Sequence, residues 1–356
     1  MRRISFLLFL FISFQLSGQV LKFKEYSLNA KFHKGFILLQ NNEVAHLATQ
    51  HPTMLELDAF KRTDGSKLWH KVHHYPQIGY SLNYLIMDPK KPVGNMLALV
   101  AYMSKSFFET KRSRLDLRIG FGPGYASRIF DLHKNHKNIL ISSHFNFCLN
   151  GRISYTLRLG KHFAISTGIG IIHLSNGTVK LPNQGINIPT MHFGIILNPK
   201  PYILPKADTI DKIKRKLNFD LMFSLGIKEA YPILKNKFIV STVSAYCNKR
   251  LNYKSGLTLG LDYFYDPSVT RLVLEDLNFI KRSKLAVTGG HELYFGNLSL
   301  LTQLGIYLYD PYKLNVAVYE RYGFKYKIGK KAFSQLTMKI FFGSVDFVEW
   351  GTGYKF

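Results

Sequence analysis

His173 and Ser175 stand two positions apart in a segment of alternating apolar residues. In an extended strand, residues at i and i+2 point to the same face and lie about 7 Å apart along the strand. A serine hydroxyl is a weak nucleophile unless a neighbouring base takes its proton, and imidazole can be that base. The pair therefore predicts nucleophilic chemistry, with Ser175 as the nucleophile and His173 as the base.

Asn187 is the candidate third member of this site. After Ser175 the chain runs through a Gly- and Pro-containing segment, and the next strand places Pro189, Met191 and Phe193 on the face it shares with Asn187. Asn187 is therefore expected to return to the outward side that carries His173. An asparagine carbonyl can orient an imidazole, although it cannot stabilise the imidazolium by charge.

The segment between the two strands supplies candidate substrate contacts. Asn176, Gly177 and Asn183 are the nearby hydrogen-bond donors for an oxyanion. Lys180 is a candidate contact for a phosphate group, although a single loop lysine is more often simply solvated.

The elements that must position these residues are long strands. Phe145 to Leu159, Leu217 to Ile227 and Tyr253 to Tyr265 each alternate apolar with polar or small residues. Soluble strands usually run 5–6 residues, whereas alternating segments of about 10 residues are typical of transmembrane β-barrels. The sequence thus predicts an all-β fold, a transmembrane antiparallel barrel of the outer membrane, with a secreted β-sandwich as the alternative.

The connections between strands favour the same architecture, since tight turns such as Gly160-Lys161 alternate with long loops such as Asn176 to Ile186. We expect about 12–14 strands in one barrel over residues 76–356. Residues 20–75 are expected to be a lead-in with a strand or two, most clearly Thr53–Phe60. The basic, Pro-containing stretch Pro199 to Arg215 fits this scheme badly, because it falls where a short turn is due.

Both ends of the chain carry targeting features. Residues 1–19 combine Met1-Arg2-Arg3, an apolar run from Ile4 to Leu16 and small residues before a cleavage point, which predicts a secretory signal peptide. The chain ends in an alternating strand with Phe356 last. A terminal aromatic on such a strand resembles the signal that the outer-membrane barrel assembly machinery reads, so we expect that machinery to be a partner.

Composition limits the other partners. Lys and Arg number 48 against 22 Asp and Glu, a formal net charge of +26, which suggests nucleic acid or phosphate-bearing lipid. Export makes nucleic acid unlikely and leaves anionic outer-membrane lipid. Two Cys residues exclude a disulfide scaffold and a Cys-rich zinc module. No metal-ligand spacing or phosphate-binding glycine loop occurs, so no metal or cofactor is expected.

A resemblance to a known family adds to this interpretation. His173-Leu174-Ser175-Asn176 followed by Pro182-Asn183-x-Gly185-Ile186 resembles the His-x-Ser-Asn…Pro-Asn-x-Gly-Ile signature of the PagL-type lipid A 3-O-deacylases, also grouped as acyloxyacyl-hydrolase-like outer-membrane proteins. The direct resemblance covers about 40 residues.

The resemblance implies a specific activity. It implies hydrolysis of an ester-linked acyl chain of lipid A, within lipopolysaccharide in the outer leaflet, by Ser175 and His173 without a metal. The chain departs from the family where a Glu orients the histidine, since Asn187 stands there; the family's small barrel has eight strands. The alternatives are a catalytically silent structural barrel and a porin-like channel lined by Arg152, Arg158 and Lys254. The sequence does not determine the oligomeric state.

Overall fold

The computed structural model describes residues 26–39, 41–198, 216–230, 236–273, 278–313 and 316–356. The predicted signal peptide and the stretch from 199 to 215 lie outside these residues. The described chain forms sixteen antiparallel strands, which close into two barrels of eight strands each.

The first barrel contains strands β1 to β8, and β1 pairs with β8 to close it, with Leu28 opposite Leu197. Its strands are β1 Ser27–Gly35, β2 Thr53–Arg62, β3 Gln77–Ile86, β4 Met96–Glu109, β5 Ser113–Ala126, β6 Phe145–Arg158, β7 Phe163–Ser175 and β8 Ile186–Leu197.

The second barrel contains β9 to β16, and β16 closes it by pairing with β9, with Trp350 opposite Leu225. Its strands are β9 Leu217–Glu229, β10 Lys237–Arg250, β11 Ser255–Tyr265, β12 Ser283–Phe295, β13 Leu298–Tyr309, β14 Val318–Ile328, β15 Ala332–Phe341 and β16 Ser344–Lys355. The described helical elements are short: α1 Leu68–Val72, α2 Val269–Val273 and 3₁₀ turns at Asn42–Val44 and Ile280–Arg282.

The expected antiparallel barrel class is confirmed, whereas the expected single barrel of 12–14 strands is wrong. Fourteen strands do follow Gln77, but they are shared between two barrels. The lead-in assignment of residues 20–75 is also wrong, because β1 and β2 are strands of the first barrel wall. The strand expected at Thr53–Phe60 is the main part of β2. Alternation specifies which face of a strand meets lipid, but it does not specify the partner that closes a barrel.

The outer surfaces are apolar and the interiors are largely polar, as alternation predicts. Outward residues of β9 such as Leu221 and Phe223 are about half exposed, while the flanking residues Asp220 and Ser224 are buried. Eight strands enclose an interior that side chains can fill. In the first barrel, Glu56 accepts hydrogen bonds from Arg152 (2.5 Å) and Arg118 (2.8 Å).

The second barrel is filled in the same way. Arg321, fully buried, contacts Asp262 and Glu349, each at 2.8 Å. A buried charge is costly unless it is paired and hydrogen-bonded, and these charges are paired inside the barrels.

The three residues expected to line one channel do not share a lumen. Arg152 pairs with Glu56 inside the first barrel, and Arg158 bonds to Glu109 at one end of it. Lys254 lies in the turn between β10 and β11 of the second barrel. The expectation of a shared lumen is therefore wrong, because these residues belong to different barrels.

Each barrel has a turn end and a loop end. The turn end of the first barrel carries the short connections 110–112 and 159–162, and its loop end carries 127–144 and 176–185.

The barrels contact each other side by side, with the Phe121 and Phe324 rings 5.6 Å apart. Near the turn ends, the Trp69 ring of α1 meets Phe295 at 6.4 Å. Among the described residues, no helix is long and apolar enough to cross a bilayer.

Candidate functional site

Strands β7 and β8 bring the predicted site together at the loop end of the first barrel. His173 lies directly opposite Asn187 in the β7–β8 pairing. On the other side of β7, Leu149 faces His173 and Phe147 faces Ser175 across the β6–β7 pairing. The neighbouring residues Ile172 and Leu174 point inward and are fully buried. The pairing therefore brings Asn187 beside His173 on one face of the sheet, while the outward exposure of His173, Ser175 and Asn187 together stays a prediction.

A hydrogen bond of 2.7 Å joins the His173 ring Nδ1 to the Asn187 Oδ1 atom. A carbonyl oxygen only accepts, so this assignment makes Nδ1–H the donor and leaves the lone pair on Nε2. That tautomer is the one in which imidazole can take a proton from a hydroxyl. The local pairing of β7 with β8 thus orients the ring as a base.

Ser175 is the last residue of β7 and is only 6% exposed. Among the described contacts, no hydrogen bond joins Ser175 Oγ to His173. Catalytic hydrogen bonds are often long in the absence of substrate and shorten when it binds. The placement of Ser175 two residues beyond His173, on the same side of β7, keeps the two side chains neighbours.

Gly185 belongs to the Pro-Asn-x-Gly-Ile motif, and its contact with the site is visible only in the structure. Its φ is +73°, and a Cβ there would lie 2.8 Å from His173 Cε1 and 3.3 Å from Ser175 Cβ. Both the backbone conformation and the close approach require glycine. The backbone of Gly185 therefore packs directly against the two reactive side chains.

Asn176 braces the loop that joins the two strands. Its side-chain amide donates to Ser142 Oγ (3.0 Å) and to the Lys180 carbonyl (2.9 Å). Its backbone N–H donates to Asn183 Oδ1 at 3.2 Å. These donors are engaged within the protein, so Asn176 shapes the loop, and Gly177 and Asn183 are left as the better candidates for oxyanion contacts.

Gly177 lies where the first barrel meets the second. Its φ is +65°, and a Cβ there would come within 2.4 Å of Val348 Cγ2 in β16. Lys180, by contrast, is half-buried in the loop, and its carbonyl oxygen accepts hydrogen bonds from Ser142 and Asn176. Asn176, Lys180 and Asn183 thus lie in one hydrogen-bonded loop that follows Ser175.

A groove of about 740 Å³ begins two residues from His173 along β7, on the outer surface of the first barrel. Ile171 and Pro189 lie opposite each other in the β7–β8 pairing and line the groove. Most of its other lining is apolar, from Gly35, Phe36, Gly151, Ile153, Ile169 and Met191. Lys34 and His51 lie at its rim, where Lys34 Nζ donates to the His51 carbonyl at 2.8 Å.

Metal ligands are not gathered at the described site. Among the residues that the structure describes, no group of three or more His, Cys, Asp or Glu side chains could hold a metal ion. The chemistry that this arrangement offers is that of a hydroxyl, an imidazole and an amide.

The fold and site define an outer-membrane β-barrel protein with a polar cluster at the loop end of its first barrel. Two family models match the chain, one over each barrel. The model described as lipid A 3-O-deacylase (PagL) matches residues 55–195, and the one described as acyloxyacyl hydrolase, C-terminal domain, matches residues 217–356. The chain belongs to the PagL-type lipid A 3-O-deacylase family.

Solved structures give more distant matches. The crystal structure of the outer-membrane enzyme PagL is 16% identical, with 47% of this chain and 97% of that chain covered and a TM-score of 0.33. A triple mutant of the Rhodopseudomonas blastica porin is 9% identical, with 93% and 100% covered and a TM-score of 0.18. No curated protein matches the chain.

Proposed function

We propose that the protein is a serine esterase that hydrolyses an ester-linked acyl chain of lipid A in the outer leaflet of the outer membrane. The observation that carries this proposal is the His173–Asn187 hydrogen bond beside Ser175, at the loop end of the first barrel. Membership of the lipid A 3-O-deacylase family supports the same substrate class.

The reaction proceeds in two steps. Ser175 Oγ attacks the ester carbonyl while His173 Nε2 takes its proton, and the imidazolium then protonates the departing sugar oxygen. This step breaks the acyl–oxygen bond of lipid A and forms an acyl-enzyme on Ser175. Water attacks that ester with His173 again as the base, which releases a fatty acid and regenerates the serine.

Asn187 orients the histidine in this mechanism without a compensating negative charge. Its carbonyl fixes the tautomer through the 2.7 Å bond. In chymotrypsin-type enzymes, replacing the corresponding acid by an amide lowers turnover by about 10⁴. The proposed enzyme therefore works more slowly than one with a carboxylate at this position.

Two donors of the loop are proposed to stabilise the oxyanion. The backbone N–H of Gly177 and the side-chain amide of Asn183 belong to the loop that follows Ser175. Hydrogen-bond donors fixed before the reaction stabilise developing charge without reorganisation.

The groove is proposed to hold the acyl chain, since it is apolar, faces lipid and starts two residues from His173 along β7. Lys34 at its rim is proposed to contact a phosphate of the lipid A headgroup, with Lys180 in the 176–185 loop as a second candidate cation. An acyl chain in the groove places its ester at the loop end, level with the headgroups. The C-terminal strand remains the proposed contact for the barrel assembly machinery, because Trp350, Tyr354 and Phe356 are all exposed on it.

Mass spectrometry of lipid A tests the proposal directly. Cells that make the wild-type protein should lose one ester-linked acyl chain from part of their lipid A, whereas cells that make Ser175→Ala should not. Ser154→Ala, a partly buried serine of β6 whose hydroxyl lies 3.4 Å from His192, is a matched control and should behave as wild type. Identical lipid A from wild-type and Ser175→Ala cells would overturn the esterase, and ion conductance in planar bilayers would then favour a channel.

A further inference from the structure

The loop that follows Ser175 is held from both sides, by the first barrel and by the second. On the first-barrel side, Ser142 bonds to Asn176 and to the Lys180 carbonyl, and Gly185 N–H donates to the Leu140 carbonyl at 3.0 Å. On the other side the loop meets β9 and β16 of the second barrel. The second set of contacts joins two different barrels through the segment that carries the proposed oxyanion donors.

Glu229, the last residue of β9, makes two of these contacts. Its carboxylate Oε2 accepts the Leu181 N–H at 2.5 Å, and its own N–H donates to the Thr178 carbonyl at 3.0 Å. The residue is only 5% exposed. Burying a carboxylate costs free energy unless hydrogen bonds compensate, and a charged acceptor makes a stronger bond than a neutral one. Glu229 therefore fixes both sides of the short turn from Thr178 to Leu181.

Thr178 is held in a conformation that it would rarely adopt alone. Its φ is +66°, next to Gly177 at +65°, and a β-branched residue at positive φ is a genuine outlier. Such strain persists only where surrounding contacts determine it. Here the Thr178 hydroxyl donates to the Asp346 carbonyl of β16 at 2.5 Å, and Val348 packs against Gly177.

We propose that the second barrel is a positioning element for the active site, and that Glu229 is its principal positioning residue. By fixing Thr178 and Leu181, it sets the direction of the Gly177 N–H and the position of the Asn183 amide relative to Ser175. This inference rests on the proposed esterase function. It also gives the second barrel a role that the barrel bearing the serine and histidine cannot perform by itself.

The test compares Glu229→Ala with Glu229→Gln in the full-length protein, by hydrogen exchange and by steady-state kinetics. Glu229→Ala should lose protection of backbone amides in residues 176–185 and lower kcat about 10- to 100-fold with little change in KM. Oxyanion contacts are made chiefly in the transition state, so their loss appears in kcat. Glu229→Gln should recover most of the amide protection and most of kcat, because its amide oxygen still accepts the Leu181 N–H.

Three further variants keep the test decisive. If Glu229→Ala does not assemble, Thr178→Val, which loses the hydroxyl, should give the same two effects, and Thr178→Ser should not. Asp220→Asn is the matched control, because Asp220 is a buried carboxylate of the same strand that pairs with Lys325 at 2.5 Å near the turn end. It should leave loop protection and kcat unchanged in the folded protein.

The outcomes separate this inference from the proposed function. Unchanged loop protection in Glu229→Ala, or lost protection with unchanged kcat, would overturn the positioning role. An equal fall in kcat for Asp220→Asn would overturn it as well. A wild-type protein without hydrolytic activity would overturn the esterase instead, and loop exchange in Glu229→Ala would then decide whether the second barrel still holds the loop.

Discussion

The His173 ring and the Asn187 side chain face each other across paired strands, and a 2.7 Å hydrogen bond joins the ring Nδ1 to the Asn187 Oδ1 atom. The partner is an amide, where the family pattern has a carboxylate. This one difference leads to the first prediction.

Asn187→Glu should raise the deacylation rate, because a carboxylate orients the same tautomer and also stabilises the imidazolium. The gain should reach at most about 10⁴-fold, the loss measured for the reverse change in a serine protease. Asn187→Ala should lower the rate below wild type by removing the orienting bond. Release of fatty acid from purified lipid A measures both. A slower Asn187→Glu variant would show that another residue orients His173.

Gly185→Ala should abolish most activity while the barrel remains folded. The added methyl group would lie 2.8 Å from His173 Cε1, at a backbone conformation that alanine rarely adopts. Gly160→Ala is the matched control, since a Cβ there meets nothing within 4 Å. Activity and heat-modifiable migration in gels, which reports a folded barrel, should be measured together. Full activity in Gly185→Ala would mean that the close approach has no role in the site.

Filling the groove should change which acyl chains are cleaved. Gly151 lines the groove, and a Cβ added there has only Ile171 Cγ2 nearby, at 3.8 Å. Gly151→Leu should therefore fold and shift the preference toward shorter acyl chains. Gly289→Leu, at a similarly open position on the second barrel, should have no effect. Competition between lipid A species with different chain lengths gives the measurement, and an unchanged preference would place the acyl chain elsewhere.

Lys34→Met should raise KM several-fold for phosphorylated lipid A and leave the dephosphorylated lipid unaffected. The reason is that Lys34 lies at the rim of the groove, where a headgroup phosphate would sit. Lys111→Met, an exposed lysine in the turn between β4 and β5, is the control for loss of a positive charge. Equal effects on both lipids would assign Lys34 a role in packing.

The sequence alone determined the lengths of the strands and the direction of side chains along them. Alternation in β7 and β8 predicted that His173, Ser175 and Asn187 point the same way, because side-chain direction in a strand has period two. The same alternation predicted antiparallel strands long enough to cross an outer membrane. Thr53–Phe60 was recognised as a strand even though its place in a barrel was not.

Only the tertiary structure decided which strands close on each other and what lies beside the site. Nothing in the period of β1 says that it pairs with β8, since closure depends on the registers of eight strands together. The roles of Gly185 and Glu229 were hidden for a similar reason. The role of Gly185 depends on a close approach between a loop and two side chains. The role of Glu229 depends on its contact with Leu181, a residue of the other barrel that is 48 positions away in sequence. Periodicity fixes directions along a strand, whereas contacts between distant segments exist only once the barrels have closed and packed together.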